Sequence, residues 1–190
     1  MKSLIAYYSR RGNNLVDGTV KELRVGNTEM LAIILQKLTG ATCFRIEPQV
    51  DYSPDYYRCI DQARQDLQRK QYPKLKRVPD NITDYDVIYL GYPNYWGTMP
   101  MAVFSFLKQF DFSGKRIKPF CTHEGGGMGR SEQDIRSICP DAQIDAGLSI
   151  KGTDIKQGLA MIEEWVRHSS DKAPSEKIST YIKRKGENDL

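Results

Sequence analysis

Short apolar runs alternate with amphipathic stretches along most of the chain. Apolar runs of strand length predict five β-strands, at residues 2–8, 42–47, 85–91, 116–122 and 143–150. Apolar residues at helical spacing predict five helices, at residues 28–38 and 55–71, from Pro100, from Ser131 and at residues 153–168. This alternation is typical of a three-layer α/β/α fold around a doubly wound, five-stranded parallel sheet. The carboxyl ends of such strands share one edge of the sheet, where ligands bind.

One domain and a tail account for this pattern. Residues 1–168 are enough to bury the core of a three-layer domain, whereas residues 169–190 are polar, basic and rich in lysine. We expect those last residues to be either disordered or a short docked segment. Pro119 is an awkward feature of the predicted sheet, because proline is rare in a central strand.

The motif Gly-Asn occurs twice near the first strand, at Gly12-Asn13 and at Gly26-Asn27. The second copy directly precedes a helix, so the free N–H groups and positive dipole end of that helix belong to it. Between the copies lies Asp17-Gly18, flanked by short apolar runs, which is a strong hairpin signal. We therefore predict that residues 14–25 form a two-stranded excursion outside the central sheet, and that Gly26-Asn27-Thr28 then completes an anion-binding turn. A simple helix cap explains this turn about equally well.

Unusual residues follow three of the predicted strands. Ser9 ends the first strand, residues 92–98 follow the third, and residues 123–129 follow the fourth. Tyr95 and Trp96, in the second of these loops, either fill a gap in the core or present a flat face to a planar ligand. The glycines of the third loop either allow close backbone approach or make a flexible turn. The convergence of the three loops on one sheet edge favours a binding site.

Composition narrows the classes of function. The chain carries a net charge of +4 and has no apolar stretch of membrane-spanning length. Its first residues lack the features of a signal peptide, so we expect a cytoplasmic protein with reduced, mostly buried cysteines. Four cysteines without C-x-x-C spacing and only two histidines argue against a zinc site.

Basic residues gather at residues 64–77 and 183–185. Such patches can bind nucleic acid. Because no aromatic-rich nucleic-acid motif accompanies them, a solvated surface is the favoured interpretation.

Four segments, taken in order, resemble the flavodoxin-like family of FMN-binding proteins: LIAYYS…VGNTE, YDVIYLGYPNYWGTMP, FSGKRIKPFCTHEGGGMG and SICPDAQIDAGLSIKG. The resemblance covers about residues 2–168 and includes all three loops. It implies the flavodoxin-like strand order 2-1-3-4-5 with FMN at the switch point, as is known for this fold. The phosphate loop of the family usually runs unbroken from its serine to its Gly-Asn-Thr, whereas here the predicted hairpin at residues 14–25 interrupts it.

The resemblance also implies the contacts with FMN. The phosphate would lie on Ser9, Gly26, Asn27 and Thr28, with Arg10 as a further contact. The isoalloxazine ring would be edged or stacked by Pro93, Asn94, Tyr95, Trp96 and Gly97. The far wall would consist of Thr122, His123, Gly125, Gly126 and Gly127. Because the hairpin interrupts the phosphate loop, the resemblance leaves open which of residues 10–13 contact the phosphate.

The implied function is redox chemistry carried by FMN and tuned by the protein. Two versions stay open: an electron shuttle to a partner protein, or a small FMN-dependent reductase with a quinone-type acceptor. Shuttling flavodoxins are typically acidic around the flavin, so the net positive charge slightly favours the reductase. The alternative from another class is a non-redox module that binds a different anion or nucleotide in the same pocket. No G-x-G-x-x-G fingerprint is present, and the sequence leaves open whether the chain forms a homodimer.

Overall fold

The computed structural model of this protein describes residues 1–168. The strands are β1 (Ser3–Tyr7), β2 (Gly12–Val16), β3 (Thr19–Leu23), β4 (Thr42–Arg45), β5 (Val87–Pro93), β6 (Arg116–His123), β7 (Gln143–Ile144) and β8 (Leu148–Lys151). The helices are α1 (Asn27–Thr39), α2 (Tyr56–Arg69), α3 (Met101–Leu107), α4 (Ser131–Ile138) and α5 (Leu159–Arg167). The predictions about residues 169–190 lie outside the described residues.

All strand pairs in the central sheet are parallel, and the strands lie in the order β4-β1-β5-β6. β6 also pairs with β7 at its start and with β8 at its end. The α/β class and the parallel sheet predicted from the sequence are confirmed. The chain changes its direction of winding between β1 and β5, so the switch point lies between these two strands.

The last strand differs from the prediction. The sequence predicts one strand at residues 143–150, whereas the structure has β7 and β8 with a break at residues 145–147. At this break the N–H of Gly147 donates to Glu132 Oε1 of α4 at 2.7 Å. A Cβ on Gly147 would clash with Met128, so the chain bends close to the α4 region. The sheet consequently has six strands and not five.

The same break accommodates Pro119 in the middle of β6. Residues 116–117 pair with β7 and residues 120–123 pair with β8, so Pro119 has no strand partner on that side. On its other side Pro119 lies opposite Leu90 of β5. The N–H that proline lacks therefore falls where the ladder is already interrupted.

The last helix begins later than the predicted residue 153. A 3₁₀ turn, Gly152–Asp154, comes first, and α5 starts only after Gly158. Glycine is unfavourable inside a helix, which agrees with a helix that begins after Gly158 and does not run through it. The predicted apolar face is present, since Ile162 and Val166 are buried.

The hairpin of β2 and β3 pairs with no other strand. Gly12 pairs with Leu23 and Val16 with Thr19, which leaves the two-residue turn Asp17-Gly18. Both turn residues have positive φ, 50° and 76°, as a type I′ turn requires. The structure thus contains the predicted two-stranded excursion, with strands that begin slightly earlier than residue 14.

Two apolar clusters hold helices against the two faces of the sheet. Because side chains alternate between the faces of a strand, Ile5 packs with α1 and α5 through Leu35 and Ile162. Its neighbour Leu4 belongs to the opposite cluster, which includes Phe106 of α3 and Ile135 of α4. The resulting α/β/α layers fix the strand ends that carry the candidate site.

The helices and the cysteines of residues 1–168 are expected from the sequence to be neither membrane-spanning nor disulfide-bonded. No helix among them is long and apolar enough to cross a membrane. The four cysteines are free, and three of them, Cys59, Cys121 and Cys139, are buried. Burial raises the pKa of the Cys121 thiol to about 12, which keeps it protonated and poorly reactive.

Candidate functional site

A cleft of ≈ 260 Å³ lies at the carboxyl ends of β1, β5 and β6. Its walls come from the segment after β1, the hairpin, the first residues of α1, the start of α2, and the loops after β5 and β6. The switch point between β1 and β5 opens into this cleft, which is where doubly wound sheets bind ligands. The three loops singled out in the sequence therefore meet in one cavity.

Ser9 and Gly26 join the end of β1 to the start of α1. The N–H of Glu29 donates to the buried Ser9 Oγ at 3.0 Å, so this hydroxyl caps the helix from another segment and keeps its own proton free to donate. A Cβ on Gly26 would clash with Ser9 Oγ and with the carbonyl of Arg10. Glycine at this position permits the close approach that forms the turn.

Asn27 and Thr28 are the first residues of α1, and both line the cleft. The first N–H groups of a helix have no intrahelical acceptor and lie at its positive end. The Thr28 hydroxyl lies 2.8 Å from the hydroxyl of Thr122 at the end of β6, and both side chains are buried. One of these hydroxyls donates to the other, so one proton is left to donate to a ligand.

Arg10 brings positive charge to the same end of the cleft. Its guanidinium donates to the carbonyls of Ser53 at 3.1 Å and Pro54 at 2.6 Å, and also to the carbonyl of Asn13. Among residues 1–168 it forms no salt bridge with a carboxylate, so no acidic side chain neutralises it. An anion placed here meets an oriented cation and the amides of α1 together.

Arg11 has a different role. Its Nε and one terminal nitrogen donate to the two carboxylate oxygens of Glu29 at 2.9 and 2.5 Å. This pairing holds the pKa of Glu29 below its usual value. Arg11 is not part of the cleft wall.

Trp96 lies at the rim of the cleft on a tight turn. The N–H of Tyr95 donates to the carbonyl of Thr98 at 2.8 Å, and Trp96 and Gly97 between them have φ of 56° and 78°. The indole N–H donates to the carbonyl of Ile60 in α2 at 2.7 Å, and the Arg64 guanidinium lies 5.2 Å from the ring centroid. The side chain is 46% exposed, so it does not fill a gap in the core.

Tyr95 is held more deeply than its neighbour. Its ring packs edge-on against Tyr8, with centroids 6.2 Å apart, and its hydroxyl lies 4.0 Å from Cys59 Sγ. Burial raises the pKa of the Tyr95 hydroxyl well above its usual value. Tyr95 therefore presents a neutral aromatic side chain, packed on one side against the core and lining the cleft on another.

Asn94 links the loops after β5 and β6. Its amide nitrogen donates to the carbonyls of Gly127 at 2.7 Å and Gly126 at 3.2 Å, while its side-chain oxygen accepts from the N–H of Gly97 at 2.9 Å. These glycines, with Gly125 and Gly26, are not part of the cleft wall. Of the residues predicted from the sequence, those that line the cleft are Ser9, Arg10, Asn27, Thr28, Pro93, Asn94, Tyr95, Trp96, Thr122 and His123.

His123 ends β6 with a defined tautomer. Its Nδ1 accepts a hydrogen bond from the N–H of Gly125 at 3.0 Å, so this nitrogen carries no proton. Burial lowers the pKa of His123, which favours the neutral ring near pH 7. Its protonated Nε2 is therefore the group that can donate to a ligand.

Five residues that line the cleft are not among those predicted from the sequence: Asn14, Leu15, Tyr56, Ile60 and Glu124. Asn14 and Leu15 belong to β2, so the hairpin contributes to the cleft directly. Tyr56 and Ile60 are four residues apart in α2 and thus share a face, which is the signal that could have identified them. Glu124 directly follows His123 in a loop already singled out.

Comparison with known proteins agrees with this architecture. The sequence profile of the flavodoxin family matches residues 19–169, whereas no curated protein resembles the chain significantly in sequence. A solved structure from Bacteroides eggerthii, provisionally described as a flavoprotein, is 25% identical, with a TM-score of 0.64 over 85% of this chain and 97% of that one. A structure from Bacteroides uniformis with the same description is 22% identical, with a TM-score of 0.69 over 87% and 97%.

A third solved structure is that of a flavoprotein from Lactobacillus acidophilus in complex with FMN. It is 17% identical to this chain, and the TM-score is 0.58 over 82% of this chain and 97% of that one. At this level of identity the agreement concerns the fold.

Proposed function

Because this chain belongs to the flavodoxin family, we propose that it is an FMN-dependent reductase that passes electrons to a small quinone-type acceptor. As a flavodoxin, it takes FMN as its cofactor. Bound FMN supplies the redox chemistry. The side chains of the cleft bind the cofactor, orient it and limit the access of water.

The observation that carries the proposal is the combination, in one cleft, of an anion site with an aromatic wall. The amides of Asn27 and Thr28 and the guanidinium of Arg10 suit a single phosphate. Tyr95 and Trp96 suit a planar ring, because aromatic side chains stack on flat ligands. The cleft residues described above provide one such anion site, which matches the single phosphate of FMN better than the diphosphate of FAD.

The wall formed by α2 supports a small acceptor. Tyr56 and Ile60 line the cleft beside Trp96, so a planar molecule entering from this side would meet aromatic and apolar surface. The Arg64 guanidinium above the Trp96 ring adds positive charge at the rim. The net charge of +4 is unlike the acidic surface with which shuttling flavodoxins meet basic protein partners.

Titration of the purified protein with flavins tests the cofactor. FMN should bind at micromolar concentration with a change in its visible spectrum, and FAD should bind more weakly. Preferential binding of FAD, or no binding of FMN, would contradict the proposal.

Anaerobic mixing of the reduced holoprotein with benzoquinone tests the acceptor. Reoxidation should be fast and should saturate with quinone concentration, because a bound complex forms before electron transfer. A rate that rises linearly with quinone, together with faster oxidation by a redox protein, would support the electron shuttle instead. The apoprotein with the same quinone is the control.

A further inference from the structure

The carboxylate of Glu124 lies between the cleft and the tip of the hairpin. Its Oε2 accepts a hydrogen bond from the N–H of Asp17 at 3.0 Å. Its Oε1 is buried and has no hydrogen-bond partner among residues 1–168. An unpartnered buried carboxylate oxygen is costly, and its presence in a folded protein calls for a donor.

The surroundings of Glu124 Oε1 identify the part of the cleft that it faces. A Cβ on Gly152 would clash with the side-chain amide of Asn27 and would lie 3.1 Å from Glu124 Oε1. The side-chain amide of Asn27 and Glu124 Oε1 are therefore neighbours on the same side of the Gly152 backbone. Asn27 belongs to the anion site at the start of α1, whereas Tyr95 and Trp96 lie on the loop after β5. Glu124 lines the cleft, and its buried Oε1 lies beside Asn27 at the anion site.

The chemistry of the ligand follows from this position. The phosphate of FMN is an acceptor and cannot satisfy a carboxylate oxygen, but the ribityl chain next to it carries hydroxyl groups. We propose that Glu124 accepts a hydrogen bond from a ribityl hydroxyl through Oε1 while it holds the hairpin tip through Oε2. This inference rests on the proposed cofactor, and it makes Glu124 a binding residue for the polyol chain.

The two contacts of Glu124 couple the ligand to the hairpin. Asp17 at the hairpin tip also pairs with Lys151 at the end of β8, and Asn14 and Leu15 of β2 line the cleft. When a ribityl hydroxyl fixes the carboxylate, the Asp17 N–H meets an oriented acceptor. Flavins with a ribityl chain should therefore hold the hairpin closed, whereas a bare ring should not.

Three ligands separate the polyol from the rest of the flavin. FMN has the ring, the ribityl chain and the phosphate; riboflavin lacks the phosphate; lumiflavin lacks the whole chain. In Glu124→Ala, affinity for FMN and for riboflavin should fall by the same factor, on the order of tenfold to a hundredfold. Affinity for lumiflavin should not change. Fluorescence titration gives the three dissociation constants.

Lys151→Met is the matched control, because it removes the ion pair of the hairpin tip and leaves Glu124 in place. An exposed pair of this kind is weak, so affinities should change by less than about fivefold. Glu124→Gln keeps the side-chain length and one acceptor oxygen. It replaces Glu124→Ala in the same titrations if the alanine variant does not fold. It should lose either the polyol contact or the hairpin contact, with a smaller loss of FMN and riboflavin affinity than alanine causes.

Trypsin cleavage after Lys21 and Arg24, both exposed on the hairpin, reports hairpin closure. FMN and riboflavin should slow this cleavage in the wild type and much less in Glu124→Ala, and lumiflavin should slow it in neither.

Three results for Glu124→Ala would overturn the role of Glu124. These are an equal loss of affinity for all three flavins, unchanged affinities, and tighter binding of FMN alone. Failure of the wild type to bind FMN would overturn the proposed cofactor as well, so the two failures are distinguishable.

Discussion

Thr28 lines the cleft, and its hydroxyl already takes part in a hydrogen bond. Its Oγ1 lies 2.8 Å from Thr122 Oγ1 in a buried pair, so the end of β6 fixes the rotamer of the first turn of α1. One of the two hydroxyls keeps its proton, so the pair can donate to a phosphate without losing further conformational freedom. The proposed contact of Thr28 with phosphate therefore depends on Thr122 as well as on the helix.

Thr28→Val should weaken the binding of FMN far more than the binding of riboflavin, because it removes a hydroxyl near the proposed phosphate site and keeps the shape of the side chain. A lost hydrogen bond to a charged group costs about 1.5–3 kcal/mol, or roughly ten- to 150-fold in affinity. Fluorescence titration of both flavins measures the difference. Thr39→Val, the same change at the other end of α1, should leave both affinities unaltered. Equal losses for both flavins would place Thr28 away from the phosphate.

Tyr95 and Trp96 should respond differently to truncation. Tyr95 packs against Tyr8, so Tyr95→Ala should lower the free energy of unfolding by about 2–3 kcal/mol. Trp96 is exposed at the rim, so Trp96→Ala should change it by less than about 1 kcal/mol while weakening flavin binding and relieving quenching of flavin fluorescence. Urea unfolding and flavin titration measure the two effects. A large stability loss in Trp96→Ala with unchanged flavin affinity would contradict this assignment.

At the scale of elements, the sequence predicts those features that depend on neighbouring residues. The hairpin follows from Asp17-Gly18, because few other residue pairs adopt two positive φ angles. The start of α1 follows from the Gly-Asn-Thr motif, and the parallel strands from their apolar runs. These patterns are local, so the residues themselves determine them.

Other features depend on contacts between distant residues. The break between β7 and β8 depends on the hydrogen bond from Gly147 to Glu132, which no strand pattern reveals. The same holds for the site: Ser9, Thr28 and Trp96 could be proposed because they follow strands or begin a helix. Asn14 is not among the predicted site residues, because the hairpin signal does not indicate which surface the hairpin packs on. That direction depends on the contacts of Asp17 with Glu124 and Lys151.

At the scale of the whole molecule, Glu29 connects three segments beneath the site. Its carboxylate pairs with Arg11 after β1 and lies 3.5 Å from Arg45 of β4, while its backbone N–H donates to Ser9. The Glu29 side chain is only 8% exposed. Loss of its charge would therefore leave two arginines without their shared partner.

Glu29→Gln should lower the free energy of unfolding by about 1–3 kcal/mol near neutral pH, less than for a fully buried pair because Arg11 is half exposed to solvent. Arg11 holds the folded-state pKa of Glu29 below its ordinary value of 4.5, so the unfolded state binds the proton more readily. The stabilisation is therefore complete above that ordinary value and is lost as the pH falls through the lower pKa of the folded state. Urea unfolding of both proteins should show a constant difference from about pH 7 to pH 5.5 that shrinks towards about pH 3.

Glu163→Gln, which breaks an exposed pair with Arg167, should cost less than about 0.5 kcal/mol. A wild-type advantage over Glu29→Gln that stays constant down to about pH 3 would show that the ion pair with Arg11 is not its source.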